Sequence, residues 1–179
     1  TGDAAFTQIR GTTTITGANQ FNGVTMNGGT IATTITGGGE VPITNTGGFD
    51  YNGGVLTVDA SGITSQTGKW TVISGSVDEA LARNTEVTFQ GKTLKFEGFD
   101  APIAGYALYD LYLKKGSLQF VSDRKAATDV CGITGLCADG YLKGSLEGVD
   151  KDAVGGVVRD VLMPSYQAGY LSLDFYTTQ

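Results

Sequence analysis

The sequence predicts an all-β protein: an antiparallel β-sandwich, jelly-roll-like, with one or two short helical turns and an N-terminal strand open to exchange between subunits. Three observations predict it. Short runs of Thr, Ile, Val and aromatic residues recur along the 179 residues, as in TTTITGANQFNGVTMNGGTIATTITGGG. Gly and Asn separate these runs at spacings of about eight to twelve residues, as in sandwiches and barrels. Between Gly11 and Gly68 the only charged residues are Glu40, Asp50 and Asp59, and the same stretch holds 14 of the 28 glycines.

The first strand is read over residues 6–16. In FTQIRGTTTIT, Ile9, Gly11, Thr13 and Ile15 share one side of an extended chain, a period-two pattern of β-branched residues. Residues 17–68 follow with short strands near 21–26, 30–36, 41–44, 55–59 and 63–65. Their separators include Asn22-Gly23, Asn27-Gly28-Gly29, Gly37-Gly38-Gly39, Gly47-Gly48 and Asn52-Gly53-Gly54. Asn-Gly pairs favour type I′ hairpin turns because both residues accept positive φ. The spacing also resembles that of β-solenoids. The motif TGG recurs without a fixed period, however, and reads as turn usage.

From Lys69 onward, charged and large apolar residues become regular. KWTVISGS reads as a core strand. Ser76 and Glu79 have capping-box form and predict a helical turn over Val77–Arg83. TEVTFQGKTLKFEGF predicts a hairpin turning at Gln90–Lys92, with Val87 and Phe89 facing Leu94 and Phe96. YALYDLYLKKGSLQFV predicts another, turning at Lys114–Gly116. Ser122–Asp129 reads as a short helix or loop, and GYLSLDFYTT as a final strand with Leu171, Leu173 and Phe175 on one face. Residues 1–16 form a strand or extension and residues 17–179 one sandwich domain, because 17–68 is too poor in large apolar groups for a core of its own.

Composition excludes several function classes. The net charge of −6 and scattered basic residues argue against nucleic acid. No apolar run reaches the length of a membrane-spanning helix. With no histidine, Ser-His-Asp and Cys-His catalysis and His-metal centres are excluded. Cys131 and Cys137 are expected to close a small disulfide loop, with Gly132 and Gly135 allowing the tight turn. Two thiolates alone leave a zinc site two ligands short. Asp150 and Asp152 open like an acidic calcium loop but lack the closing Glu. No cofactor, metal site or catalytic residue is expected. Asp110 interrupts an apolar run and reads as a solvent-facing strand position; none of the acidic residues selects a glycosidase-type pair.

The expected role is a structural subunit of an extracellular filament or surface matrix, secreted after signal-peptide removal. Its partners are copies of itself, joined by donation of the strand carrying Phe6, Ile9, Thr13 and Ile15. Charged residues normally protect sheet edges, and here they are missing. The alternative is a secreted carbohydrate-binding or adhesive module that touches glycans or a cell surface through Trp70 and Tyr106. A polysaccharide-acting enzyme is a second alternative, with no motif to carry it.

Overall fold

In the computed structural model, residues 4–106 and 108–126, together with Asp129, are described. The chain is all-β with several sheets, but its first half is a stack of coils and not an antiparallel sandwich. Each coil lays one strand in each of three sheets. The first coil is β1 (Phe6–Gln8), β2 (Thr12–Ile15) and β3 (Asn19–Phe21). The second is β4 (Val24–Met26), β5 (Thr30–Thr34) and β6 (Ile43–Asn45), and the third is β7 (Phe49–Tyr51), β8 (Val55–Asp59) and β9 (Gly68–Ser74). Sheet I runs β1-β4-β7 in parallel register, with Phe6 beside Val24 and Val24 beside Phe49. Sheet II begins β2-β5-β8-β10, all parallel, where β10 is Thr85–Phe89. Sheet III begins β3-β6-β9, also parallel.

The correction to the sandwich expectation has a local cause. The Asn-Gly segments act as corners, turning the chain from one sheet to the next without reversing it. Asn27-Gly28-Gly29 lies under Asn52-Gly53-Gly54, and Ile9-Arg10-Gly11 lies at the end of the same column. Main-chain bonds Asn27 N to Gln8 O (2.8 Å), Asn52 N to Met26 O (2.8 Å), Thr30 N to Gly11 O (2.8 Å) and Val55 N to Gly29 O (2.9 Å) set that register. The Asn52 side-chain amide donates to Asn27 Oδ1 (2.9 Å), an asparagine ladder up the corner. Gly29 has φ +73° and Gly54 φ +102°, conformations that side chains disfavour. The coils stack so closely here that a Cβ on Gly29 would lie 2.5 Å from Gly11 O.

The coils differ in length, which is why the sequence shows no fixed period. Only Thr16–Ala18 joins β2 to β3, whereas residues 35–42 join β5 to β6. The segment near 63–65 forms no strand, and β7 at Phe49–Tyr51 lies hidden between two glycine corners.

The core is the space enclosed by the three sheets. In sheet II, Ile31 stacks on Leu56, and Thr33 on Val58 and Val87. Sheet I contributes Val24, Met26 and Phe49, and sheet III Ile43 and Ile73, all buried. Stacking thus gives residues 17–68 their core, since each coil covers its neighbour's apolar row. Burying each Val, Leu or Ile contributes roughly 1.5–3 kcal/mol. Thr33 is buried with its hydroxyl donating to Ile15 O (2.9 Å), so its polar group is satisfied.

Beyond the third coil the pattern changes. Helix α1 (Glu79–Arg83) stands between β9 and β10, the chain position that β4 and β7 hold in earlier coils. Its N-cap is Asp78, whose side chain accepts from Ala80 N (2.9 Å), and not the expected Ser76. Asp78→Ala is expected to lower stability by about 1 kcal/mol, read from the denaturation midpoint, while Ser76→Ala leaves it unchanged. After β10, Gln90 (φ 49°) and Gly91 (φ 77°) make the expected hairpin turn. Strand β11 (Lys92–Lys95) returns antiparallel, with Val87 opposite Leu94, and ends sheet II. Sheet III continues past β9 to β13 (Leu118–Arg124) and β12 (Tyr109–Lys114), separated by the predicted turn near Lys114–Gly116. Trp70, Phe89, Phe96 and Phe120 form an aromatic cluster at this end.

The chain divides into two compact units. Residues Thr1–Ile103 and Leu111–Val121 make the first, which contains the coils. Ala104–Asp110 and Ser122–Gln179 make the second. Within the second, Lys125 pairs with Asp110, and the Arg124 guanidinium lies 5.5 Å from the Tyr109 ring centre. Among the described residues, no helix is long and apolar enough to cross a membrane, and no cluster of acidic or thiol groups suits a metal.

Candidate interaction surface at the first coil

The three strands of the first coil each lie at the outer edge of their own sheet. Main-chain alternation shows which groups face outward. Phe6 N bonds Gly23 O (3.0 Å) and Gln8 O accepts from Asn27 N (2.8 Å), so Phe6 and Gln8 face β4 and Thr7 faces the open side. Gly11 O accepts from Thr30 N, so Thr12 and Thr14 face the open side of β2. Among the described residues no strand pairs with this side of β1 or β2. A row of open N–H and C=O groups is a template for another strand.

Charge separates this edge from the others. None of β1, β2 and β3 contains a charged residue. The remaining outer strands all carry charge: Asp50 in β7, Lys92 and Lys95 in β11, Asp110 and Lys114 in β12. Such charges, lysine above all, discourage pairing with foreign strands.

The interior of the first coil is only partly covered. Phe6 and Phe21 lie against each other with ring centres 5.4 Å apart, both half-buried. A solenoid normally ends in a repeat with a polar outer surface. Here the first coil displays two half-buried phenylalanines, and at its β1–β2 corner stands Ile9, 64 % exposed and the one large hydrophobic exposed among the described residues.

Gln8 holds this coil in shape. It is buried, and its Nε2 donates to Arg10 O (2.9 Å) and Gly11 O (3.0 Å) while Oε1 accepts from the Thr13 hydroxyl (2.5 Å). Gln8→Leu leaves the Arg10 carbonyl and the Thr13 hydroxyl without those partners. It is expected to cost about 1–3 kcal/mol in a denaturation experiment.

The structure brings Phe6, Thr13 and Ile15 together as inward positions of one coil, but not Ile9. The chain turns a corner at Ile9–Gly11, so the period-two pattern read across 6–16 breaks there. Strands β1 and β2 pair with β4 and β5 of the same chain. Trp70 is half-buried, stacked on Phe120 with ring centres 5.7 Å apart and tilted on Phe89. Burial raises the Tyr106 phenol above its ordinary pKa. Asp110 is ion-paired to Lys125 and so is not a freely solvated position. Cys131, Cys137 and the strand read at residues 169–178 lie outside the described residues. Sequence reading missed Gln8 and Phe21. Their signal was the second occurrence of Asn-Gly-Gly, which sets the stacking column from which their inward position follows.

Comparison with protein-family models, with curated proteins and with solved structures finds no match.

Proposed function

We propose that the chain is a structural subunit of an extracellular filament or surface matrix, joined to copies of itself by β-strand pairing through residues 6–16. The observation that carries this reading is the first coil: an uncharged outer edge in every sheet, over a partly covered aromatic interior. Main-chain hydrogen bonds supply the strength of such pairing, and side-chain alternation supplies its register. Low charge and many threonines suit an extracellular surface that packs against its neighbours. Exchange of residues 6–16 between copies is a second form of the same contact. It keeps the registers Phe6–Val24 and Thr12–Thr30, with exposed Thr16–Ala18 as the linker.

Negative-stain electron microscopy and light scattering test the reading. The wild-type chain is expected to self-associate: pairing of two first-coil edges closes as a dimer, and exchange of residues 6–16 from copy to copy continues as a polymer. Thr7→Lys/Thr12→Lys places charge on the open edge without touching the ladder to β4 and β5, and is expected to give monomers with an unchanged circular dichroism spectrum. Assembly that survives the lysines but is lost on deleting residues 1–16 identifies the exchanged form. A wild-type chain that stays monomeric at high concentration, or assembly that survives the deletion, overturns the proposal.

A further inference from the structure

The outer surface of sheet II carries a shallow groove of about 520 Å³, which begins on the first-coil strand β2. It runs across β2, β5, β8 and β10, and its walls include Thr14, Ala32, Thr34, Thr57, Asp59 and Thr88. Register explains its form. Thr14, Ala32 and Thr57 lie side by side in one row, and Thr34, Asp59 and Thr88 in the next. Ala32, the smallest of the six, is the low point between two threonines. Neighbouring strands lie about 4.8 Å apart, so each row sets three side chains at even steps, with threonine at four of the six positions.

The chemistry of the lining is narrow. Threonine hydroxyls both donate and accept, and their methyl groups add apolar contact. The Asp59 carboxylate is the one charged group of the lining. Ser61 N (2.9 Å) and Ser61 Oγ (2.5 Å) both donate to Asp59 Oδ1, which leaves Oδ2 without a partner among the described residues. These bonds hold the Asp59 carboxyl below its ordinary pKa, so it is an acceptor only at neutral pH. No Lys or Arg lines the groove.

We infer that this groove binds a linear, uncharged polysaccharide lying across the strands, its hydroxyls bonded to the threonine rows and to Asp59 Oδ2. A repeating polymer matches the even spacing of the rows, and a chain of hydroxyls matches threonines that both donate and accept. Anionic polymers are disfavoured by Asp59 and by the net charge of −6. The site shares no residue with Trp70 or Tyr106, and it does not rest on assembly through the first coil.

Calorimetric titration with xylohexaose, cellohexaose and laminarihexaose tests it, with hexagalacturonate as the anionic control. At least one neutral hexasaccharide is expected to bind and the anionic one to bind at least tenfold more weakly. Ala32→Trp fills the low point and is expected to abolish binding with an unchanged circular dichroism spectrum. Asp59→Asn and Thr57→Val, which change little in shape, are each expected to weaken it by about tenfold. The Thr7→Lys/Thr12→Lys chain is expected to bind as the wild type does, which separates this result from the assembly test. Binding to none of the three, equal binding of hexagalacturonate, or binding untouched by Ala32→Trp overturns the inference. So does a change of oligomeric state in Ala32→Trp without saccharide binding, which marks the groove as a contact between copies.

Discussion

Phe120→Ala is expected to destabilise the coil unit by about 3–5 kcal/mol, the usual cost of removing a buried phenylalanine ring. Phe120 is fully buried, and three aromatic rings surround it: Trp70 stacked at 5.7 Å, Phe89 edge-on at 5.1 Å and Phe96 edge-on at 6.3 Å between ring centres. Removing it takes away its own burial and leaves a cavity that rings on β9, on β10 and just past the end of β11 cannot collapse to fill. The effect also crosses sheets. Phe89 belongs to β10 of sheet II, and Trp70 and Phe120 to β9 and β13 of sheet III. The ring therefore joins the two sheets at the end of the stack where α1 and β11 replace the regular coil. Trp70 is the single tryptophan, so its fluorescence reports this cluster alone. The variant is expected to show a lower denaturant midpoint with unchanged slope, and a red-shifted emission as the indole loses its neighbour. A midpoint within about 1 kcal/mol of wild type contradicts the packing described.

Gly29→Ala and Gly11→Ala form a matched pair. Both glycines sit in the same corner column with similar backbone, φ +73° and φ +69°. An L-residue in that conformation costs about 1–2 kcal/mol at either position. Their surroundings differ. A Cβ on Gly29 would meet Gly11 O at 2.5 Å and the Arg10 carbonyl carbon at 2.8 Å, whereas one on Gly11 would meet nothing within 4 Å. Backbone atoms cannot move aside as a side chain can, so overpacking adds roughly 1–3 kcal/mol at Gly29. Gly29→Ala is thus expected to cost about 2–5 kcal/mol and Gly11→Ala about 1–2 kcal/mol, measured by urea denaturation. Equal costs at the two positions contradict the stacked-corner register. The difference arises because Gly11 belongs to the first coil, with no coil below it among the described residues.

Many individual elements were legible in the sequence. β8 spans the strand read at 55–59, the Gln90-Gly91 hairpin turns where expected, and the break between β12 and β13 falls at Lys114–Gly116. These are local matters, decided by side-chain alternation and by residues that accept positive φ. Pairing direction was not legible. Asn-Gly between two short strands suits a two-residue hairpin as well as a solenoid corner. The choice between them depends on what lies above and below the turn. Gly28 and Gly53 illustrate this: each lies against the backbone of the preceding coil, 2.7 Å from Ile9 O and 3.0 Å from Asn27 O measured from an added Cβ. The unequal links β2–β3 and β5–β6 hid the period that reveals such stacking.

The candidate surfaces divide in the same way. The missing charges of the N-terminal stretch are a sequence fact, and they point to edges unprotected against pairing. The sequence by itself determined strand chemistry, turn positions and the low charge between Gly11 and Gly68, because each depends on residue type and near neighbours. Only the tertiary structure decided that the strands stack in parallel, that β1, β2 and β3 are together the edge strands of three sheets among the described residues, and that Thr14, Thr57 and Thr88 share a groove. Residues far apart in the chain become neighbours only when coils pack. Which coil covers which is set by the summed burial of Val24, Ile31, Leu56, Val58 and Ile73, and no short segment carries that sum.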